Sequence, residues 1–269
     1  GQSRNYGAER SQGEYLIVLD SDCVLPPGYL QAVDDELTRK PCDAFGGPDR
    51  AHESFSPVQK AINYSMTSFF TTGGIRGGKK KLDKFYPRSF NMGIRADLYR
   101  RLGGFSAMRF GEDIDFSIRI FKSGASCRLF PEAWVWHKRR TDMKKFFKQV
   151  HNSGIARINL LKRHPGSMKP VHLLPALFTA GMACLALLFV AGLVLVGANL
   201  YGIHSMSGTG ADDHMLHVGV LLGCIAIACS LVPPALYSIL IFFDSLFQNK
   251  SCKVALLSIK ASFIQLLGY

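Results

Sequence analysis

Two long apolar segments near the end of the chain restrict its possible folds more than any other feature. Residues 173–200 and 216–243 contain no Asp, Glu, Lys or Arg, and each is longer than the roughly 20 apolar residues that a helix needs to cross a bilayer. The second segment is interrupted by Pro233 and Pro234. We predict two transmembrane helices and therefore an α-helical membrane region over residues 171–269.

A third segment, residues 254–269, is shorter and contains Lys260 and Gln265. It is compatible with a third span, with a helix lying at the membrane interface, or with a span cut short at the end of the chain. Of these alternatives, a third span is favoured.

The net charge of the chain is +12 and lies entirely in residues 1–170. A segment of this length is sufficient for one globular domain with a hydrophobic core. Lys and Arg are dense over residues 138–169, whereas the connection 201–217 has neither and carries Asp212 and Asp213. The positive-inside rule then predicts that the 1–170 domain lies on the cytoplasmic face of a plasma or inner membrane.

The composition of the chain also limits its partners. The basic charge suits anionic lipid headgroups or phosphate-bearing substrates, or it belongs to a solvated surface without a partner. Nucleic acid is not expected, because no nucleic-acid-binding module is recognisable. The seven cysteines form no Cys-x-x-Cys pair, so neither a zinc site nor a disulfide framework is predicted.

Residues 15–24 combine an apolar run with two carboxylates. The run over residues 15–19 predicts a buried strand of an α/β sheet. Asp20 and Asp22 follow it, at the sheet end where open α/β sheets place ligands. Because Mg²⁺ is commonly held by one or two carboxylates together with substrate phosphates, the motif predicts a metal and phosphate site.

Two alternatives stay open for this motif. Both carboxylates are also compatible with hydrogen bonds to the backbone of a local turn. Asp20-x-Asp22-x-Val24 after an apolar strand further resembles the nucleophile motif of haloacid-dehalogenase-like phosphatases. The motif alone therefore does not choose a reaction.

A second acidic cluster lies in residues 110–124. From Glu112 onward, the apolar residues recur at helical spacing and Gly124 is a suitable end for a helix. Glu112 and Asp113 then lie in the first turn, and Asp115 with Arg119 is predicted to be a surface ion pair. Asp113, a carboxylate near others at the mouth of a sheet, is a candidate general base.

Several short motifs follow one another along residues 1–160. They are Arg4-Asn5-Tyr-Gly7, Gly13-Glu14-Tyr15, Leu19-Asp20-Ser21-Asp22, Pro27, Asn91-Met-Gly93, Gly103-Gly104-Phe105, Gly111-Glu112-Asp113, Arg119, Gly124 and Trp136-His137. This order resembles the second half of the GT-A domain of family 2 inverting glycosyltransferases. The resemblance implies an α/β, Rossmann-like GT-A fold for residues 1–170 that lacks its first strands.

The same resemblance implies a reaction and its catalytic residues. A sugar would pass from a nucleotide-diphosphate donor to an acceptor hydroxyl with inversion, as in a hexosyltransferase. Asp20, Asp22 and His137 would hold Mg²⁺ or Mn²⁺ against the leaving diphosphate. Asp113 would deprotonate the acceptor and Glu112 would orient the site.

Further residues are assigned to donor binding. Arg4 and Asn5 belong to the matching motifs, and Lys138 and Arg140 are candidate phosphate clamps or contacts to anionic lipid. The expected partners are the nucleotide sugar, a lipid-linked or glycan acceptor, and membrane lipids.

The chain departs from the family pattern in two ways. No Arg-Trp pair follows Gln149, unlike the Gln-x-x-Arg-Trp motif of processive members, so we expect transfer of single sugars in glycolipid or surface polysaccharide synthesis. The family's first strands and the acidic residue that grips the nucleobase are not found, so we expect an N-terminally truncated chain. A phosphatase and a non-catalytic, membrane-anchored sugar-binding remnant stay open as alternatives.

Two segments have no clear assignment. The Gly-rich, basic stretch over residues 72–81 is compatible with a phosphate-binding loop or with a plain surface loop. Asp49, which follows a turn over residues 46–48, is a further candidate for substrate contact.

Overall fold

The computed structural model describes residues 1–72, 87–206 and 214–269. These residues form two compact units, the first comprising residues 1–169 with 268–269 and the second Pro170–Leu267. The Gly-rich basic stretch beyond Thr72 and the acidic residues Asp212 and Asp213 lie outside the described residues.

The first unit alternates helices with short strands. Its helices are α1 Gln2–Arg10, α2 Tyr29–Arg39, α3 Pro57–Thr67, α4 Phe69–Thr72, α5 Ala96–Arg101, α6 Glu112–Lys122 and α7 Met143–Arg163. Its strands are β1 Tyr15–Leu19, β2 Cys23–Val24, β3 Ala44–Gly46, β4 Asp49–Arg50, β5 Asn91–Arg95, β6 Cys127–Leu129 and β7 Val135–His137.

The strands form two mixed sheets. The four-stranded sheet has the order β1-β5-β3-β6, with β5 antiparallel to both of its neighbours and β3 parallel to β6. The three-stranded sheet has the order β2-β7-β4, with β7 antiparallel to β2 and parallel to β4. This mixture of sheets and helices confirms the predicted α/β class.

The strand that leads to the acidic motif, β1, is less buried than the sequence predicts. Of its five residues only Leu16 is buried, and the others are half-buried. The reason is that β1 lies at one edge of the four-stranded sheet and pairs only with β5 among the described strands. Because Leu19 lies opposite Asn91, the loop after β1 begins next to the residues that precede β5.

Gly93 of β5 allows an aromatic ring to lie across the sheet. A Cβ atom at this position would lie 2.0 Å from Cζ of Phe45, so a larger residue would displace the ring. Phe45 is fully buried and stacks on Phe130 with ring centroids 4.4 Å apart. Since side chains alternate across a sheet, a second buried cluster that includes Phe116 packs on the other face.

The helix predicted from Glu112 is confirmed as α6. It begins at Glu112 and ends at Lys122, and Gly111 and Gly124 flank it with positive φ angles of 82° and 77°. Glycine adopts such angles at little steric cost, so these two residues define where the helix starts and stops. Glu112 and Asp113 therefore lie in the first turn, as predicted.

Asp115 and Arg119 form the predicted ion pair, with Arg119 Nε 3.0 Å from Asp115 Oδ2, but the prediction that the pair lies on the surface is wrong. Asp115 is 0% exposed, because the end of α7 covers it. His164 Nε2 and Arg163 Nε each lie 2.8 Å from its Oδ1. Arg119 also donates to the carbonyl of Gly104 at 2.6 Å. One carboxylate thus fastens α6 to the end of α7 and to the Gly-Gly turn.

The second unit is helical. After a short 3-10 turn at Pro170–Leu173, its helices are α8 Leu174–Met206, α9 His214–Asn249 and α10 Cys252–Leu267. In the part of the chain that the structure describes, two helices, Pro170–Ser205 and His214–Asn249, are long and apolar enough to cross a membrane. The 16 residues of α10 are fewer than the roughly 20 that a span needs, so the third span stays a prediction.

The helix α9 runs through Pro233 and Pro234 without ending, although the sequence suggests an interruption there. It packs against α8 where both helices carry glycine. A Cβ atom on Gly192 would lie 2.9 Å from the carbonyl oxygen of Gly223, and one on Gly223 would lie 2.8 Å from that of Gly192. Such close packing at small residues is typical of membrane helices.

We expect Asp115→Asn to lower the free energy of unfolding by about 3 kcal/mol or more, because it removes the buried charge that faces Arg119 and Arg163. Thermal unfolding of the full chain in detergent measures this change. The matched control is Asp35→Asn, where the exposed Asp35 accepts a hydrogen bond from Gln31, and its effect should be about 0.5 kcal/mol or less. Equal losses in the two variants would contradict the account.

The difference in the free energy of unfolding between the wild type and Asp115→Asn should also depend on pH. Burial raises the pKa of Asp115, but hydrogen bonding to His164 and the charge of Arg119 outweigh it, so that the pKa lies below its usual value. The contribution of Asp115 is therefore present above about pH 4, the unfolded value, and is lost as the pH falls through the lower folded value. The two proteins should converge in stability in acid.

Candidate functional site

The acidic motif forms a tight turn at the end of β1. The backbone N–H of Cys23 donates to the carbonyl of Asp20 at 3.0 Å. An open cleft of about 470 Å³ lies over the turn, within the range of small-molecule sites. Its lining residues are Gly1, Ser3, Arg4, Leu19, Asp20, Ser21 and Asp22.

The pairing of β2 with β7 brings His137 beside Asp22, as the ligand prediction requires. Cys23 lies opposite His137 in the register, and the N–H of Lys138 donates to the carbonyl of Asp22 at 3.1 Å. His137 Nε2 lies 3.4 Å from Asp22 Oδ1, and its Nδ1 lies 3.7 Å from Asp49 Oδ2. Two carboxylates, one from the turn between β1 and β2 and one from β4, therefore face the two ring nitrogens.

The donors around His137 suit a divalent cation. One ligand atom each from Asp22, Cys23 and His137 lies within 4.8 Å of the others. Nε2 of His137 is the ring nitrogen beside Asp22, whereas the buried Nδ1, which has no hydrogen-bond partner among the described residues, faces Asp49. Carboxylate and imidazole together suit a cation such as Mn²⁺.

Cys23 fits a hard cation such as Mg²⁺ or Mn²⁺ less well than its neighbours do. Burial raises the pKa of its thiol to about 12, and the negative charges of Asp20 and Asp22 add to the effect. The thiol instead hydrogen-bonds the carbonyl of Phe90 at 3.5 Å. Because thiolates suit softer metals than Mg²⁺ or Mn²⁺, Asp22 and His137 are the members of this group that fit better.

Arg4 of α1 joins the two acidic clusters. Its Nη2 lies 2.6 Å from Asp20 Oδ1, and its Nη1 lies 3.0 Å from Glu112 Oε1. Nη2 also donates to Ser89 Oγ at 3.2 Å, and the guanidinium lies over the ring of Phe105. Arg4 thus holds Asp20 through Oδ1. If Asp20 binds a metal as predicted, the ligand atom would be Oδ2.

Asp113 is held by a second arginine. Arg88 Nε donates to Asp113 Oδ2 at 2.7 Å, and the pair is largely shielded from solvent, with side-chain exposures of 32% and 15%. Ser117 of α6 donates to the carbonyl of Pro87 at 2.5 Å, which fixes the segment that carries Arg88. A positive neighbour stabilises the charged carboxylate, the form that accepts a proton.

The basic residues after β7 have different environments. Arg139 is buried and its Nη1 lies 2.5 Å from Asp49 Oδ2, so it positions a carboxylate that faces His137. Lys138 and Arg140 are exposed, and Arg140 donates to Gln149 of α7 at 3.2 Å. Their predicted role as phosphate clamps stays a prediction.

Asn5 is engaged in the fold. Its Nδ2 donates to the carbonyl of Phe105 at 2.8 Å, and its Oδ1 accepts from the N–H of Phe105 and from the hydroxyl of Tyr99. A Cβ on Gly104 would lie 2.6 Å from this oxygen. These contacts make Asn5 a residue that positions α1. Its predicted contact with the nucleotide-sugar donor stays a prediction, because these contacts do not support it.

Sequence reasoning gave no role to Arg88 and Ser89, although both lie within three residues before the Asn91-Met-Gly93 motif. Their position before a motif was the signal that could have identified them. Asp49 was a candidate for substrate contact, and its contact with Arg139 and its approach to His137 connect it to the metal side of the site instead.

Comparison with known proteins adds the family. Residues 1–103 match the sequence profile of glycosyl transferase family 2. This segment includes Arg4, Asp20 and Asp22 and ends before Glu112 and Asp113. It favours the transferase over the phosphatase interpretation of the acidic motif.

Two curated relatives agree with the profile. A probable glycosyltransferase of Sulfolobus acidocaldarius is 23% identical over 120 residues, which is 44% of this chain and 26% of the relative. A pre-mycofactocin glycosyltransferase of Mycobacterium tuberculosis is 33% identical over 78 residues, which is 29% of this chain and 17% of the relative. The matched part of the chain thus spans about a quarter or less of either relative. Through the profile match over residues 1–103 and these relatives, the chain is similar to glycosyl transferase family 2, and its α/β domain is of GT-A type.

Proposed function

We propose that this protein is a membrane-anchored, metal-dependent hexosyltransferase that moves one sugar from a nucleotide-diphosphate donor to an acceptor hydroxyl with inversion of configuration. The acceptor is a lipid-linked or other glycan, and the product belongs to glycolipid or surface polysaccharide synthesis in the cell envelope. The catalytic domain lies on the cytoplasmic face.

The observation that carries this proposal is the bridge made by Arg4. Its guanidinium contacts Asp20 of the first acidic cluster and Glu112 of the second. Direct displacement at a sugar requires stabilisation of the leaving diphosphate and a base for the attacking hydroxyl. A single side chain that touches both clusters supports the view that they serve one site.

Asp22 and His137 would hold the divalent cation, with Asp20 beside them. Enzymes of this family generally use a divalent metal, and such a cation would stabilise the negative charge that develops on the departing diphosphate. Asp49 and Arg139 support His137 from the opposite side, and such outer contacts fix the orientation of a metal-binding histidine.

Asp113 is the proposed general base, and Glu112 orients the site. A sugar hydroxyl is a poor nucleophile until a base takes its proton. The ion pair with Arg88 fixes the direction of the Asp113 carboxylate. Glu112 is held by Arg4 and so defines the position of the first turn of α6.

The membrane assignment is supported by the two apolar helices of the second unit. The basic residues between 138 and 169 support the cytoplasmic orientation through the positive-inside rule. A membrane-bound catalytic domain has its highest local concentration of acceptor when that acceptor is also in the membrane, which supports a lipid-linked one. The absence of an Arg-Trp pair after Gln149 supports transfer of single sugars.

A screen of nucleotide sugars tests the proposal. The full chain in proteoliposomes is incubated with each donor, with Mn²⁺, Mg²⁺ or a chelator, and released nucleoside diphosphate is measured. Metal-dependent release from one class of donor is expected. Binding of sugars without turnover would favour the binding remnant, and covalent phosphate on Asp20 would favour a phosphatase.

We expect Asp113→Asn to lower the transfer rate by roughly 10²- to 10⁴-fold, because the amide cannot take the proton of the acceptor. Donor affinity should be largely unchanged, since the metal side of the site is intact. Asp97→Asn is the control, because Asp97 is exposed and pairs with Arg95. Unchanged transfer by Asp113→Asn would show that Asp113 is not the base.

We expect His137→Gln to weaken Mn²⁺ binding by about tenfold or more, the scale on which metal sites respond to lost support. Cys23→Ser should bind Mn²⁺ as the wild type does, because a hard cation such as Mn²⁺ prefers oxygen ligands to a thiolate. Titration of the full chain with Mn²⁺, followed by electron paramagnetic resonance of the free ion, measures both. The reverse pattern would make Cys23 the ligand and His137 a structural residue.

A further inference from the structure

Helix α7 carries two apolar faces. The first, made of Phe146, Val150, Ala156 and Leu160, is buried in the first unit. The second is made of Phe147, Ile155 and Ile158, which are 48%, 39% and 51% exposed. A helix that only covers a domain needs one apolar face. Packing within the first unit therefore does not explain why the second face is apolar.

The exposed residues form a continuous stripe. At 3.6 residues per turn, Phe147, His151, Ile155 and Ile158 lie on one side of the helix. The ring of His151 is parallel to that of Phe147, at an interplanar angle of 2° and a centroid distance of 6.2 Å. These residues give the helix an outward surface that is larger than a single exposed side chain.

Lysines border this stripe. Lys144, Lys148 and Lys162 are exposed. At 3.6 residues per turn, Lys148 lies along one edge of the stripe, and Lys144 and Lys162 lie in line with it, about one turn before Phe147 and one turn after Ile158. Long lysine side chains can lie along apolar surface while the ammonium group reaches a polar boundary. An apolar stripe edged by lysines matches a surface that has anionic headgroups above hydrocarbon.

The chain itself keeps α7 close to the membrane segment. The helix ends at Arg163 and the first candidate span begins at Pro170. Six residues, 164–169, therefore separate the helix from the span in the sequence.

We propose that the face of α7 formed by Phe147, His151, Ile155 and Ile158, with its lysine edge, lies in the headgroup layer of an anionic phospholipid bilayer. This inference rests on the membrane anchoring proposed above and adds a second contact to it. The catalytic domain is then held by α7 as well as by the spans, which restricts how it turns above the membrane.

Photocrosslinking tests the inference in the full chain. p-Benzoylphenylalanine is placed at Phe147 or Ile158, and the protein is reconstituted in vesicles that contain fluorescent phosphatidylglycerol. Two positions calibrate the result. Leu30 of α2 is an equally apolar control at 65% exposure, and Leu187 of α8, at 70% exposure, reports on the membrane span.

We expect positions 147 and 158 to label the lipid several-fold more than position 30. The variant Lys144→Gln/Lys148→Gln/Lys162→Gln should lower this labelling to the level found in vesicles of phosphatidylcholine alone, because the attraction to anionic headgroups is lost. Labelling at position 187 should not change.

Three outcomes would overturn the inference and are distinguishable from one another. Labelling at 147 and 158 no higher than at 30, with strong labelling at 187, would leave the anchoring intact and remove the role of α7. Crosslinks from 147 to a second copy of the chain would assign the stripe to a protein interface. Absence of lipid at 187 would overturn the membrane anchoring itself.

Discussion

The ion pairs of Arg4 are the interaction on which the rest of the site depends. Asp20 and Glu112 come from a strand end and a helix start that are distant in sequence, and Arg4 is 108 residues from Glu112. Two carboxylates at one site repel each other unless a cation compensates them. The guanidinium supplies that charge with directed hydrogen bonds, and Asn5 on the same helix fastens α1 to Phe105. The helix α1 is thus fixed to the turn before α6 and to the end of β1.

A second constraint fixes the metal side of the site. The β2–β7 pairing involves only two residues of β2, yet it aligns Cys23 with His137. Asn91 stabilises the approach to β7, because its Nδ2 donates to the carbonyl of Ala133 at 2.7 Å and its Oδ1 accepts from the hydroxyl of Tyr29 at 2.6 Å. A Cβ on Gly47 would collide with the same carbonyl, at 1.7 Å. Buried polar groups with complete hydrogen bonding specify one arrangement, which explains why asparagine and glycine occur here.

Local patterns were enough for some of the fold and the site. The helical spacing after Glu112, the glycines that flank α6 and the uncharged apolar segments are properties of neighbouring residues, and they predicted α6 and the two long apolar helices correctly. The motif order also predicted the similarity to glycosyl transferase family 2 that the profile match shows over residues 1–103. Asp22 and His137 were predicted to act together and lie close to each other, although the short strands that join them give no strong pattern.

Other features depend on contacts between distant residues. Asp115 seemed exposed because only Arg119 was considered, whereas Arg163 and His164 cover it from the end of α7. β1 seemed buried because its residues are apolar, whereas its place at the sheet edge leaves it half-buried. The sequence did not predict which arginines pair with Asp20, Glu112 and Asp113, because the residues next to an arginine do not indicate its distant partner.

A double-mutant cycle between Asp20 and Glu112 tests the central claim, that Arg4 makes one site of the two acidic clusters. Unfolding of Asp20→Asn, Glu112→Gln and the double variant is measured on the full chain in detergent with a chelator. Because both carboxylates share Arg4, the effect of the double variant should differ from the sum of the single effects by about 0.5 kcal/mol or more. The pair Asp20→Asn and Asp97→Asn, which lacks a shared partner, should be additive. Additivity between Asp20 and Glu112 would contradict the account.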